Sequence, residues 1–444
     1  MSRAVDVLFE RISVLSPDES GGAYALTDAY VAVRAGRIAC VGFTRDHAAA
    51  AFDGAPHETY DGRDRILAPA LANAHGHAAM TLMRNSADDL SLHDWLYNVI
   101  FPRETRLRAE DVRAGTRLAL VEMVRSGTGA AADMYFFPDE VFEAFVEAGV
   151  RLNLCVDAKK KDAAGNPVLD AAELERFQRL ARTSGRGLVV PSLLVHSVYL
   201  YPEPLYKEMA DLAADLGAPV QVHVSETRRE VRECQEKHGR TPPEFLRERG
   251  FFRTPTLAAH CVHLHGDDLR ILAGPGITVA HNPQSNLKLG SGIADVHAMV
   301  RAGLRVALGT DGAASNNNLD LFRELRLAAF LAKGTTGEAA TLGAPMALRM
   351  ATVHGAAGMG FPDVGVLEAG HAADLLVLDC ERASMTPLGD PMSAFVYSAD
   401  ASAVESVMVD GRWVMRKREL TTLDEERIRA EALSAAHHLV PAPT

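Results

Sequence analysis

The sequence predicts a parallel (β/α)8 barrel, a TIM barrel, carrying a small β-sandwich domain built from both chain ends. Three observations point there. Between Ala70 and about Ala351, eight short apolar runs alternate with segments of helical period, the pattern of strands interleaved with helices. Both ends of the chain read instead as short strands joined by turns. A length of 444 residues exceeds one small core and suits a large barrel plus a lesser domain.

The N-terminal strands are expected at 4–9, 29–33 and 37–42, with Gly21-Gly22 and Ala35-Gly36 as turn signals. The barrel strands are expected at 71–75, 129–134, 151–156, 188–196, 219–224, 256–261, 278–281 and 305–310. Helices are expected between them at 110–125, 139–147, 171–182, 204–216 and 319–333. In the first of these, Val112, Leu118, Val121 and Val124 lie near helical spacing. Strands return at 373–379, 404–411 and 412–415, with Asp410-Gly411 as a hairpin dipeptide. A helical tail follows, 424–439. The expected domains are 1–65 and 359–444 for the β-sandwich (with its helical tail), and 66–358 for the barrel. One polar loop, 159–167, follows the third barrel strand.

Composition narrows the function. A net charge of −12 argues against nucleic acid or an anionic membrane as partner. No run reaches 18 apolar residues, so no transmembrane helix is expected. The N-terminal stretch 1–11 has no signal-peptide core or cleavage site. Five scattered cysteines without a Cys-x-x-Cys pair argue against a disulfide framework and for a reducing cytoplasm.

The chemistry sits at strand ends, where barrel enzymes place their sites. In Leu71-Ala-Asn-Ala-His75-Gly-His77, residues two apart share a face, so His75 and His77 aim the same way. Later strands end in His196, His223, His260, His281 and Asp311. Such a concentration of ligand-type residues at one end of successive strands points to a metal at the barrel mouth.

Several motifs then occur in order: Asn73-Ala-His-Gly-His77, Val222-His-Val-Ser-Glu226, Ala258-Ala-His-Cys-Val-His263, the run from His281 to Leu289, and the run from Leu308 to Ser315. This set resembles the amidohydrolase superfamily, within it the cytosine/adenosine/guanine deaminase and chlorohydrolase group, and most of all its 5′-methylthioadenosine and S-adenosylhomocysteine deaminases. The resemblance implies one divalent metal held by His75, His77, His223 and Asp311: zinc, with iron or manganese as alternatives. It implies hydrolytic deamination of an aminopurine nucleoside, by attack of metal-bound hydroxide on purine C6. Glu226 would carry protons to the ring and the leaving amine. His260 would polarise the nucleophile, and Asp311 would take its proton. Trp95, Glu104, His196 and Ser315 would contact the nucleoside. His281 and Asn286 are read as structural. Relatives commonly form homo-oligomers.

The sequence departs from those relatives in one place. Members that take S-adenosylhomocysteine carry an arginine shortly after the third strand; here the run from Leu154 to Lys161 contains none. Its loss favours uncharged 5′ substituents, with Lys159, Lys160 or Lys161 as replacement point charges. The candidate substrates are therefore 5′-methylthioadenosine, 5′-deoxyadenosine, S-adenosylhomocysteine, adenosine and aminofutalosine. The rivals are a free-base or triazine deaminase or chlorohydrolase and, from another class, a non-catalytic barrel assembly protein.

Overall fold

The computed structural model describes residues 4–18, 20–162 and 165–440. The first three residues of the N-terminal stretch, and Ala163 and Ala164 of the polar loop, lie outside them.

Eight strands form the barrel: Leu71–Asn73, Thr128–Asp133, Arg151–Val156, Val189–Val195, Val220–Val224, Thr256–His260, Ile277–His281 and Arg305–Leu308. Each runs parallel to the next. Barrel strands are covered on both faces, and Val220–Val224 is buried at every position, with three valines on one face and Gln221 and His223 on the other. The seam between the eighth and first strands is joined by the Ala74 N–H donating to the Leu308 carbonyl at 2.8 Å. Beyond it, Gly76–His77 pairs in parallel with Asp311–Gly312. Regular pairing of the first strand stops at Asn73, two residues short of the sequence expectation, because His75 lies between these two pairings.

The helices start and stop on local signals. Pro138 opens Pro138–Ala148, and Gly149, at φ 75°, ends it. The Thr227 hydroxyl accepts the Glu230 N–H and so caps Arg228–His238. Helix Ala109–Arg125 buries Val112, Leu120, Val121 and Val124. Among the described residues, no helix is long and apolar enough to cross a membrane.

Both chain ends share one nine-stranded sheet. Arg65–Pro69 joins them, pairing with Val7–Pro17 on one side and with Leu375–Asp379 on the other. The expected sandwich is a single sheet folded over. Phe9 and Trp413 sit four strands apart along the sheet, which in a flat sheet is about 19 Å. Their ring centroids are 6.1 Å apart, and the curl closes where the Trp413 indole donates to Glu58 at 3.0 Å. A buried ion pair fixes this sheet to the barrel: Arg151 of the third barrel strand donates to both oxygens of Asp374 at 2.6 and 2.9 Å.

Candidate active site

Five buried side chains, His77, His223, Glu226, His260 and Asp311, line the closed end of a cavity of about 310 Å³. His75 packs behind them, its ring centroid 4.9 Å from those of both His77 and His223. Candidate ligand atoms of His75, His77 and His223 lie within 4.8 Å of one another, as do those of His75, His260 and Asp311.

Backbone carbonyls orient the imidazoles. A carbonyl only accepts, so the Nδ1–H of His77 donates to Met134 and that of His223 to His196, both at 2.6 Å. In its neutral form each ring therefore keeps the lone pair on its inward Nε2, as a metal-binding histidine requires. Asp311 sits in the left-handed region at φ 60°. Its Oδ1 accepts the Gly312 N–H at 2.8 Å and lies 3.1 Å from His77 Nε2. Its Oδ2 accepts the hydroxyls of Ser285 and Ser315 at 2.6 and 3.0 Å.

This donor set fits a divalent cation. Burial, with the neighbouring imidazoles, drives His75 and His223 well below the ordinary imidazole value, so both are neutral ligands. Burial works against a charged His77 as well, but Asp311 beside it holds that ring up at about 9. The space between these two side chains thus favours positive charge. Among the described residues, the buried His75 Nε2 has no hydrogen-bond partner. Three imidazoles and a carboxylate are ligands that suit zinc, and also iron or manganese.

Glu226 follows Ser225, whose backbone is left-handed at φ 50°. Its Oε1 accepts the Ser291 hydroxyl at 3.2 Å, and its Oε2 lies 3.8 Å from His260 Nε2. Burial raises its pKa, with His260 pulling it back. The Nδ1–H of His260 donates to Asn286 Oδ1 at 2.8 Å.

The other expected contacts divide. Trp95, Glu104 and His196 line the cavity. Trp95 is buried and opens a π-helical turn, Trp95–Ile100, a distortion often found at functional sites. Burial pushes the Glu104 carboxyl up to about 7, against the pull of Tyr135 and His77. Burial lowers His196 to about 3. Ser315 has a different place from the one expected. It is fully buried and its hydroxyl donates to Asp311, so it stands behind that carboxylate, not on the cavity wall.

The mouth is marked by exposed Phe136, Phe137 and Leu200. Where a polar loop was expected, Lys159–Lys161 pairs antiparallel with Pro167–Leu169 as a hairpin. Of its three lysines only Lys159 lines the cavity. It is ion-paired with Asp157 and lies 4.6 Å over the Tyr201 ring. Lys160 pairs with Asp170 at 3.4 Å.

Three residues escaped the sequence reading of the site, and a fourth, Asn286, was read only as structural. Ser285 and Asn286 lie inside the quoted His281–Leu289 motif, yet nothing in the motif says that one reaches Asp311 and the other His260. Ser291 has no sequence signal. Glu230 had a faint one, a carboxylate at the third position after the capping Thr227. Its buried oxygens accept the N–H groups of Ser225 and Glu226 at 2.9 and 2.8 Å. Burial raises its pKa to about 7.

Residues 66–414 match the amidohydrolase family. The chain belongs to that family. Its members are metal-dependent, and this amidohydrolase is a hydrolase of carbon–nitrogen bonds. It is 44% identical over 370 residues to a 5-methylthioadenosine/S-adenosylhomocysteine deaminase of Acetivibrio thermocellus, covering 83% of this chain and 85% of that one. A protein of the same name from Pelotomaculum thermopropionicum is 40% identical over 435 residues, 98% and 99% of the two chains. Among solved structures, an adenosine deaminase from Xanthomonas campestris with bound zinc superposes with a TM-score of 0.90. It is 34% identical and covers 98% of both chains.

Proposed function

We propose that this amidohydrolase deaminates a 5′-substituted adenosine (5′-methylthioadenosine, 5′-deoxyadenosine or S-adenosylhomocysteine) to the inosine analogue and ammonia. The observation that carries the proposal is the meeting of His75, His77, His223 and Asp311 with Glu226 and His260 at the closed end of one cavity. Its volume, about 310 Å³, falls in the range of small-molecule sites. The relatives' names, 5-methylthioadenosine/S-adenosylhomocysteine deaminase and adenosine deaminase, support the substrate class.

His75, His77, His223 and Asp311 would hold one divalent cation, zinc in this reading, which lowers the pKa of a bound water to about 7 and so supplies the nucleophile. His260, its Nδ1–H held by Asn286, accepts from the attacking water through Nε2. Asp311 takes a proton from that oxygen. Glu226, its pKa raised by burial with His260 pulling it back, holds a proton in this reading. It delivers that proton to the ring nitrogen beside C6. After the water oxygen has added to C6, its remaining proton passes to the amine, the C6–N bond breaks, C6=O forms and ammonia leaves; the proton taken by Asp311 then restores Glu226. Trp95 and His196 pack the purine, and Glu104 accepts hydrogen bonds from the ribose hydroxyls. Lys159 already faces Asp157, which favours an uncharged 5′ group such as methylthio or deoxy.

Ammonia release from adenosine, 5′-methylthioadenosine, 5′-deoxyadenosine and S-adenosylhomocysteine by the zinc-loaded protein tests the reading. No release from any of the four sinks it. Glu104→Ala separates a nucleoside enzyme, which loses kcat/KM, from a free-base or triazine enzyme, which does not.

A further inference from the structure

We propose that Glu230 is a positioning residue for Glu226, setting the direction of the proton-carrying carboxyl without touching the substrate. The inference rests on the proton-carrier reading of Glu226. Glu226 leaves the fifth barrel strand through Ser225, whose left-handed backbone at φ 50° is one that a residue with a side chain seldom adopts unaided. Such a turn persists only when its surroundings hold it, and two N–H groups in it point at one carboxylate. Glu230 Oε1 accepts from Ser225 at 2.9 Å and Oε2 from Glu226 at 2.8 Å.

Glu230 is itself buried and fixed from the other side. Its own N–H donates to the Thr227 hydroxyl at 3.2 Å, so the first turn of helix Arg228–His238 holds it at a set distance from the strand end. Across the turn, the Ser225 carbonyl accepts the His263 N–H at 2.9 Å. The strand end is thus held between helix and sixth-strand loop, with the Glu226 side chain directed toward Ser291 and His260. A helix cap alone explains the contact with Thr227. It does not explain a buried carboxylate that accepts from two successive N–H groups ahead of the helix.

Glutamine at this position has one acceptor oxygen, and its amide would turn a donor toward the second N–H. Aspartate keeps both oxygens with a shorter reach. The test measures ammonia release, metal content and thermal melting for Glu226→Gln, Glu230→Gln, Glu230→Asp and the Glu226→Gln/Glu230→Gln double variant. Glu230→Gln is expected to lower kcat about 10- to 100-fold, the effect of one or two charge-assisted hydrogen bonds, with KM and metal content unchanged. Glu230→Asp should fall between it and the wild type, and carries the comparison if the glutamine variant fails to fold. In the Glu226→Gln background the second change should cost less than about twofold, because residues acting as one unit are non-additive. An equal loss in both backgrounds, a change in KM alone, or full turnover by Glu230→Gln overturns the proposal. Full turnover by Glu226→Gln is a separate result, and overturns the proton-carrier reading instead.

Discussion

The Glu226 carboxyl accepts from one hydroxyl, Ser291, and faces one imidazole, His260. In the proposed reaction this group moves protons, so Glu226→Gln should lower kcat by roughly 10² to 10⁴ and leave metal content intact; metal analysis beside a turnover assay checks both. Glu104 gives a pH signature. Its carboxyl, raised to about 7, is protonated below that pH and loses acceptor capacity. KM for a nucleoside should therefore rise as pH falls through about 7, and Glu104→Gln should flatten that rise. At this scale the sequence was informative for residue types with no chemical substitute: imidazoles and carboxylates at strand ends stand out from their apolar surroundings. It read Asn286 as structural without its partner, and was silent on Ser285 and Ser291. Their contribution is a contact made across two loops, and amide or hydroxyl side chains occur in any loop.

The seam between the first and eighth strands joins two of the proposed metal ligands, His75 and Asp311. There the His75 carbonyl accepts the Asp311 N–H at 3.0 Å, so ligands from opposite ends of the barrel sequence share one pairing. Gly309 lets the two strands approach. A Cβ on it would lie 2.9 Å from the His75 Cβ and 3.0 Å from the His75 nitrogen. Gly309→Ala should therefore displace His75 and weaken metal affinity about 10- to 100-fold; titration with zinc against a chelating indicator measures it. The elements themselves were largely legible, because apolar runs and helical periods report burial directly. The Lys159–Lys161 hairpin was not. Its three lysines read as a solvated loop, and backbone pairing with Pro167–Leu169 leaves no hydrophobic pattern.

Across the whole molecule, barrel and end sheet are joined by charge as well as by apolar packing. Asp374 is buried, accepts from Arg151 through both oxygens, and also takes the Asp410 N–H at 2.9 Å. Removing one partner of such a pair leaves a buried charge. Arg151→Met should lower stability by about 3–5 kcal/mol, seen as a lower melting temperature, and the Arg151→Met/Asp374→Leu double variant should recover part of the loss. Loading the apo protein with zinc should raise the melting temperature, because a ligand bound only by the native state stabilises it.

The amino-acid sequence by itself determined the barrel, the meeting of both ends in one small β domain, and the identity of the residues suited to hold a metal. Each of these follows from local pattern: periodicity, turn chemistry, and side chains whose chemistry nothing else supplies. Tertiary structure alone decided which of those side chains meet, that Ser315 stands behind Asp311, that Lys159 is matched by Asp157, and that Glu230 reaches back to the Glu226 turn. These are distances between segments far apart or folded back on one another. Only the closed barrel sets them, because it is the barrel that brings eight strand ends to one face.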